Sequence, residues 1–127
     1  MLKETEILKA LGETTRFRIM RLLLETGKEI CGCELVDSLE IPQYNLTKHL
    51  DILIHAGLVT SRKEGRWVYY SACPDNSSFC KSICDGILKP KDKIYDEDLA
   101  RFKKRLTIRK QGKCLLGIQN KNFIFKS

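Results

Sequence analysis

The sequence predicts a mainly α-helical fold with a small β-hairpin, an α+β class arrangement. Three observations support this prediction. Apolar residues recur at helical spacing in several segments, two β-prone runs flank a short basic turn, and two helical segments are separated only by Glu40-Ile41-Pro42. Because 127 residues provide one domain with a modest core, we expect the chain to pair with a second subunit.

Two helices are predicted at the N-terminus. The first carries an apolar stripe and ends where Gly12 interrupts it, and the second begins with Thr14 or Thr15 as its cap. The second helix is apolar over most of its surface and stops at Gly27. We therefore expect this helix at the centre of the fold.

Two further helices with a tight turn between them follow. Glu29-Ile30 form an extended bridge into a third helix, about Gly32 to Leu39. A fourth helix is expected from Gln43 to Ala56, with Pro42 at its start, where a missing N–H costs no helical hydrogen bond. Gly57 is expected to end it in a left-handed conformation.

A basic hairpin and two helices complete the chain. Residues 58–61 and 67–71 are β-prone runs on either side of a turn at residues 62–66. A fifth helix is expected over about Ser78 to Leu88, and a sixth over about Asp96 to Ile108 with Asp96 as its cap. No element is predicted after Gln111, where Phe123-Ile124-Phe125 either frays or packs on a neighbour.

This order of elements is that of a winged helix-turn-helix, in which the fourth helix reads duplex DNA. Leu46, Leu50 and Leu53 form its buried stripe, and the opposite face offers amides, a hydroxyl and an ammonium group that suit base edges and phosphates. A merely solvated polar face is the alternative. The predicted DNA-binding residues are Gln43, Tyr44, Asn45, Thr47, Lys48 and, in a minor role, His49 on the helix, with Arg62, Lys63 and Arg66 in the hairpin.

The charge of the chain suits a polyanionic partner. The formal net charge is +7, and the segment from Arg101 to Lys113 carries seven basic residues and no acid. The first residues have no apolar run typical of a signal peptide, and no segment approaches the roughly 20 apolar residues that span a bilayer. We therefore expect a cytoplasmic protein with reduced thiols and no membrane partner.

Four motifs in the middle of the chain resemble one family. They are CGCELVD at 31–37, PQYNLTKHL at 42–50, HAGLV at 55–59 and RKEGRWVYY at 62–70. Over about residues 5–88 the chain resembles the ArsR (SmtB/ArsR) family of metal-responsive repressors. The resemblance implies a homodimer that binds double-stranded operator DNA without effector and releases it when a metal or metalloid binds. We expect dimerisation through the first and fifth helices, with residues 1–90 as the DNA-binding and dimerisation domain and residues 91–127 as a basic helix and tail.

Cys31 and Cys33 indicate the effector. Two soft thiolates without neighbouring histidines favour As(III), with Sb(III), Cd(II), Pb(II) or Zn(II) as alternatives, and no intrinsic cofactor is expected. Helical side chains two residues apart point about 200° apart, so an ion held by both should prevent the first turn of the third helix from forming. The family's arsenic-sensing pattern resembles C-x-C-x-x-C, but this chain has Val36 at the third position. We therefore favour Cys114 as third ligand, from the same chain or the other subunit, although a thiol without a role fits equally well.

The remaining cysteines give weaker signals. Cys80 and Cys84 flank Phe79, Ile83 and Ile87, an apolar stripe that we expect in the dimer interface, so packing is favoured over chelation. Cys73 is left without an assigned role.

Three other functions remain open from the sequence. The same repressor could respond to oxidation through Cys31/Cys33 or Cys80/Cys84 disulfides, or could bind DNA without any effector. A small thiol oxidoreductase is the alternative from a different class. It lacks support because the chain has no C-x-x-C pair and no acid–base group around its two histidines, so we expect no enzyme.

Overall fold

The computed structural model describes residues 2–72 and 76–120. Within these residues the elements follow in the order α1 (Lys3–Leu11), α2 (Thr14–Thr26), β1 (Ile30–Cys31), α3 (Gly32–Leu39), α4 (Gln43–His55), β2 (Val59–Glu64), β3 (Trp67–Ala72), α5 (Ser78–Ile87) and α6 (Lys93–Leu106). The strands form an antiparallel sheet in the order β1-β3-β2. The predicted fold class, a winged helix-turn-helix, is confirmed, and the expected extended bridge is an edge strand of the sheet.

The caps of two helices differ from those expected. Glu13, rather than Thr14 or Thr15, caps α2, since its carboxylate accepts a 3.0 Å hydrogen bond from the backbone N–H of Arg16. Helix α6 begins earlier than predicted because Asp92, not Asp96, accepts a 2.9 Å bond from the Ile94 N–H. In both helices a carboxylate satisfies an N–H that has no partner within the helix.

The residues at the helix ends around the helix-turn-helix adopt nearly the conformations that the sequence predicts. Gly27 and Gly57 adopt positive φ angles of 62° and 77°, as predicted for helix ends. Pro42 differs slightly from expectation, because it stands before α4 as the N-cap rather than inside the first turn.

The core surrounds α2. Ile19, Met20, Leu22 and Leu23 are almost completely buried there, as expected for the central helix. The predicted stripe of α4 (Leu46, Leu50 and Leu53) is also buried and belongs to the same cluster. This packing turns the opposite face of α4 outward.

The hairpin of β2 and β3, called the wing below, is longer than expected. The strands pair from Val59 opposite Ala72 to Glu64 opposite Trp67, so Gly65 and Arg66 alone form the turn. Strand β1 pairs with the other edge of β3, which places Cys31 opposite Tyr69. The thiol-bearing segment is therefore part of the same sheet as the wing.

After α6 the chain turns back onto the domain. Gln111 and Gly112 have φ angles of 54° and 74°, and Lys110 and Lys113 exchange backbone hydrogen bonds of 2.9 and 3.0 Å around them. This tight turn directs residues 113–120 toward the N-terminal end of α3. Cys73 and the Phe123-Ile124-Phe125 segment lie outside the described residues.

Candidate thiol cluster and nucleic-acid interface

Three thiols from distant parts of the sequence meet in one chain. Cys33 Sγ lies 3.2 Å from Cys31 Sγ and 3.3 Å from Cys114 Sγ, and all three sulfurs are within 4.8 Å of one another. These are the three cysteines predicted as a ligand set. The third comes from the same chain, while Val36, at the position of the family pattern's third cysteine, is buried in the core.

Cys31 and Cys33 meet because only one of them lies inside a helix. Cys31 is the N-cap residue of α3, with φ −67° and ψ 149°, and Cys33 lies in the first helical turn. An extended residue next to a helical one does not follow the helical angle between positions i and i+2. The expectation that an ion must unwind the first turn of α3 is therefore wrong: the sulfurs converge with the helix intact.

A buried hydrogen bond places Cys114 in the cluster. The backbone N–H of Cys114 donates to the hydroxyl of Tyr69 at 2.9 Å, and both residues are buried. Burial of Tyr69 raises the pKa of its phenol, which favours the neutral hydroxyl. Residues 113–120, called the tail below, are thereby attached to the central strand of the sheet.

Two arginines lie next to the cluster, Arg105 in the last turn of α6 and Arg109 just after its end. Arg105 Nη2 lies 3.3 Å from Cys33 Sγ and 3.8 Å from Cys114 Sγ. Arg109 donates to both oxygens of the buried Glu34 at 2.7 Å, and Glu34 also accepts a 2.9 Å bond from the Cys31 N–H. Sequence reasoning treated both arginines as part of a basic run suited to DNA. In the structure Arg105 contacts the thiols and Arg109 binds the buried Glu34. These contacts exist only in the folded chain, because the partners are far apart in sequence.

The cluster favours one thiolate before any ion binds. The Cys33 thiol donates to Cys31, and this hydrogen bond lowers the pKa of Cys31 to about 6. The hydrogen bond to Cys31 and burial raise the pKa of Cys33, and burial raises that of Cys114. Cys31 is therefore the thiol of the three that loses its proton most readily.

The geometry fits a thiophilic ion. Metal–sulfur bonds of about 2.3 Å at tetrahedral angles place sulfurs about 3.8 Å apart, and a pyramidal three-coordinate ion places them slightly closer. The observed separations of 3.2 and 3.3 Å differ from this by a few tenths of an ångström. Cys31, Cys33 and Cys114 are the residues that would hold such an ion.

The outward face of α4 carries most of the predicted DNA-binding residues. Gln43, Tyr44, Asn45, Thr47 and Lys48 are exposed. Lys48 Nζ lies 4.4 Å from the centre of the Tyr44 ring, a cation–π contact. His49 is half-buried, and its Nδ1 lies 3.2 Å from Arg16 and 3.5 Å from Glu13 on α2. These contacts hold the His49 ring against the start of α2.

The basic residues of the wing differ in their surroundings. Arg62 donates to both oxygens of Glu29 at 2.9 Å, and this ion pair raises the pKa of its guanidinium. Lys63 is exposed, and Arg66 in the turn lies over the Trp67 ring at 4.5 Å. Arg66 therefore extends from the tip of the wing, whereas Arg62 is held to the segment preceding the thiols.

The two cysteines of α5 contribute to packing. Cys80 belongs to the main hydrophobic cluster, and Cys84 is also buried. This agrees with the packing role predicted for both.

Among residues 2–72 and 76–120, no helix combines the length and the apolar composition needed to cross a bilayer.

Sequence comparisons identify relatives of the chain. Residues 13–61 match the arsR family of bacterial regulatory proteins. The uncharacterized HTH-type transcriptional regulator MJ1325 of Methanocaldococcus jannaschii is 45% identical over 73 residues, which cover 58% of this chain and 81% of that protein. The arsenic resistance transcriptional regulator ArsR1 of Pseudomonas putida is 32% identical over 96 residues, 76% of this chain and 74% of the relative.

A structural comparison agrees with these matches. HlyU from Vibrio cholerae superposes with a TM-score of 0.58 at 33% identity, covering 67% of this chain and 87% of HlyU. With these identities and coverages, the chain belongs to the ArsR family of transcription regulators, a family of DNA-binding regulatory proteins rather than of enzymes.

Proposed function

We propose that the protein is a homodimeric cytoplasmic repressor that binds operator DNA and releases it when As(III), or another thiophilic ion, binds Cys31, Cys33 and Cys114. The observation that supports this most directly is the convergence of three sulfurs within 4.8 Å. Together with membership of the ArsR family, it favours an effector held by sulfur.

Exposure and charge on one side of the fold support operator binding. The exposed face of α4 presents amide, hydroxyl and ammonium groups, and the wing adds Lys63 and Arg66 beside it. In a winged helix-turn-helix the second helix of the motif enters the major groove and the wing contacts the backbone or the minor groove. The predicted residues Gln43, Asn45, Thr47 and Lys48 are thus our candidates for base and phosphate contacts.

Exposed apolar side chains support a dimer. Leu8 on α1 is 49% exposed, and Leu88 at the end of α5 is 41% exposed. Large apolar side chains on two helices that take no part in DNA reading suit a surface covered by a second subunit. A second copy would also supply the paired recognition helices that a palindromic operator requires.

The donor set supports a soft ion. Thiolates select soft ions, and three-coordination by sulfur suits As(III). Arsenous acid, the Cys31 thiolate, two thiols and one proton from solvent give a neutral tris-thiolate and three waters, so the buried site carries no net charge once As(III) is bound. This balance favours As(III), and Sb(III) for the same reason, over divalent Cd(II), Pb(II) or Zn(II).

Contacts between the cluster and the DNA-binding elements support coupling. Cys31 pairs with Tyr69 in the sheet, Cys114 binds the same tyrosine, and Lys113 Nζ lies 3.3 Å from Glu64 in the wing. Helix α3, which carries Cys33, packs directly against α4. An ion that prefers an arrangement unsuited to DNA by about 4 kcal/mol would lower the DNA-competent population about a thousandfold.

A DNA-release titration tests the proposal. A duplex selected from a random library by the protein itself is labelled, and arsenite is added in the presence of tris(2-carboxyethyl)phosphine, which keeps thiols reduced without chelating arsenic. We expect the wild type to release DNA, Cys33→Ser to bind DNA but not release it, and Cys84→Ala, outside the cluster, to behave like wild type. Release by Cys33→Ser at wild-type arsenite concentrations would contradict the proposal.

The low pKa of Cys31 favours oxidation as a second candidate signal. Its thiolate lies 3.2 Å from Cys33 Sγ, so hydrogen peroxide, with one proton from solvent, could oxidise the pair to a disulfide with release of two waters. Peroxide added without reductant should then release DNA. Release by arsenite under full reductant would instead identify ion binding as the signal.

A further inference from the structure

Arg105 is a buried cation that joins the tail to the thiol cluster. Its side chain extends from α6, and the residue is 5% exposed. Besides its contact with Cys33 Sγ, Nη2 donates to the carbonyl oxygens of Leu116 at 2.7 Å and Gly117 at 3.2 Å. One guanidinium nitrogen therefore contacts the thiols and the two carbonyls that follow Cys114 in the chain.

Asp37 on α3 holds the next part of the same segment. Its carboxylate forms an ion pair with Arg105 Nε at 3.1 Å and accepts the backbone N–H groups of Gln119 and Asn120 at 2.8 to 3.1 Å. Asp37 is itself 9% exposed. Arg105 thus binds carbonyls at residues 116 and 117, and Asp37 binds N–H groups at residues 119 and 120 of the same segment.

The position of Cys114 depends on such side-chain contacts. Residues 114–120 form neither helix nor strand, so no backbone ladder fixes them. A buried guanidinium loses hydration that must be replaced by hydrogen bonds, and here the replacements are carbonyls of the tail, a carboxylate of α3 and a sulfur. Removal of Arg105 leaves those acceptors without their donor, and the segment is expected to leave the cluster.

We propose that Arg105, together with Asp37, is a positioning residue that brings the third thiol to the cluster and so determines that the site binds with three sulfurs rather than two. This inference rests on the proposed function. It assigns no contact between Arg105 and the ion. Arg105 acts by holding residues 114–117, and without it the chain keeps the Cys31–Cys33 pair formed by β1 and α3.

Two arsenicals distinguish three-thiol binding from two-thiol binding. Arsenite exchanges three hydroxyls for three thiols and releases three waters. Phenylarsine oxide, hydrated to the dihydroxy form, keeps its carbon–arsenic bond and exchanges two hydroxyls for two thiols. The loss of Cys114 from the site should weaken the first ligand and not the second.

The experiment compares Arg105→Met and Arg105→Lys with Arg101→Met. Arg101 also lies on α6 and binds α3, through the Ser38 carbonyl and Glu40, but no hydrogen bond or ion pair given for it reaches residues 113–120. It also donates to the buried Asp98, which keeps Arg18 as a partner in the control variant. We expect both Arg105 variants to bind arsenite about 10- to 100-fold more weakly, as for loss of a residue that orients a ligand. The lysine retains the charge, but its single nitrogen cannot replace both the Nη2 bonds to the tail and the Nε contact with Asp37, so charge alone should not restore affinity. Phenylarsine oxide affinity should remain at the wild-type level.

A measurement on the ion-free protein provides a second readout. Cys114 is buried in the wild type, so the rate of its alkylation by iodoacetamide, followed by peptide mass spectrometry, should rise in Arg105→Met and not in Arg101→Met. In a Cys114→Ser background, Arg105→Met should cause no further loss of arsenite affinity, because both changes remove the same contact.

Each outcome separates the inference from the proposed function. Wild-type arsenite affinity in Arg105→Met, or an equal loss for both arsenicals, would overturn the positioning role. Failure of the wild type to bind arsenite would overturn the proposed effector, whereas faster Cys114 alkylation would still support Arg105 as the residue that holds the tail.

Discussion

The backbone N–H of Cys114 donates a 2.9 Å hydrogen bond to the Tyr69 hydroxyl, and Tyr69 is also the residue that pairs with Cys31 in the sheet. The side chain of Tyr69, on the central strand β3 of the sheet, therefore contacts the segment of the third thiol, while the backbone of Tyr69 lies opposite the first thiol residue, Cys31. A movement of Cys114 relative to Cys31 would therefore also displace Tyr69 and strand β3.

Tyr69→Phe should loosen the tail. The change leaves the buried Cys114 N–H without an acceptor, at a cost of about 1–3 kcal/mol. We expect urea denaturation to show a loss of stability of this order and Cys114 to be alkylated faster. Tyr44→Phe, on the exposed face of α4, is the control and should stay within about 0.5 kcal/mol of wild type. Equal alkylation rates in the two variants would show that the hydrogen bond does not hold the tail.

The low pKa of Cys31 predicts a pH-dependent reactivity. The rate of its alkylation should reach half its maximum near pH 6, because the Cys33 thiol donates to the thiolate. Cys33→Ala removes this donor and should move the midpoint toward about 8.5, the ordinary value for cysteine. An unchanged midpoint in Cys33→Ala would refute this cause.

The same pKa has a consequence for stability. The folded-state pKa of Cys31 lies below the unfolded value, so its ionisation stabilises the fold fully above the unfolded pKa, and this contribution is lost as the pH falls toward 6. The stability difference between wild type and Cys31→Ala should therefore grow from pH 6 to pH 8. Chemical denaturation across this range measures it, and a constant difference would contradict the expected ionisation.

Asp98→Ala should destabilise the fold strongly. The Asp98 carboxylate, 2% exposed, accepts bonds of 2.7 and 3.0 Å from Arg18 on α2 and 2.9 Å from Arg101 on α6. Removing one partner of a buried pair leaves an uncompensated charge, which costs about 3–5 kcal/mol. Asp96→Ala, exposed in the first turn of α6, serves as a control with an expected loss of about 1 kcal/mol or less. Similar denaturation midpoints for the two variants would mean that the buried pair contributes little.

Lys48→Ala and Arg66→Ala should each weaken operator binding and lower its salt dependence. If each side chain neutralises one phosphate, the slope of log K against log salt should fall by about one. Lys103→Ala changes an exposed charge on α6, away from α4 and the wing, and should leave the slope unchanged. A wild-type slope in either test variant would remove that residue from the predicted phosphate contacts.

Local signals predicted most of the fold. The apolar stripe of α4, the bounds of α3 and the left-handed glycines at 27 and 57 depend on short-range periodicity and backbone sterics, which a single sequence displays. The starts of α2 and α6 were misplaced because several adjacent residues can act as caps. The choice among them depends on which carboxylate reaches an N–H in the folded chain.

The thiol cluster was only partly predictable. The two cysteines at 31 and 33 and a third at 114 are visible as soft donors, but their contact geometry depends on Cys31 being an N-cap residue. In the sequence Arg105 and Arg109 belong to a basic run that suits DNA, because their partners Asp37 and Glu34 lie more than sixty residues away. Long-range ion pairs of this kind leave no periodic pattern.

The separation of Cys33 and Cys114 by 81 positions gives the site a mechanical consequence. An ion bonded to both sulfurs closes a covalent loop through most of the chain, much as a disulfide would, and restricts the unfolded ensemble. Loop-closure entropy for this length corresponds to about 4.5 kcal/mol. The effector would then act as a reversible cross-link, and the protein that has sensed it would also resist unfolding.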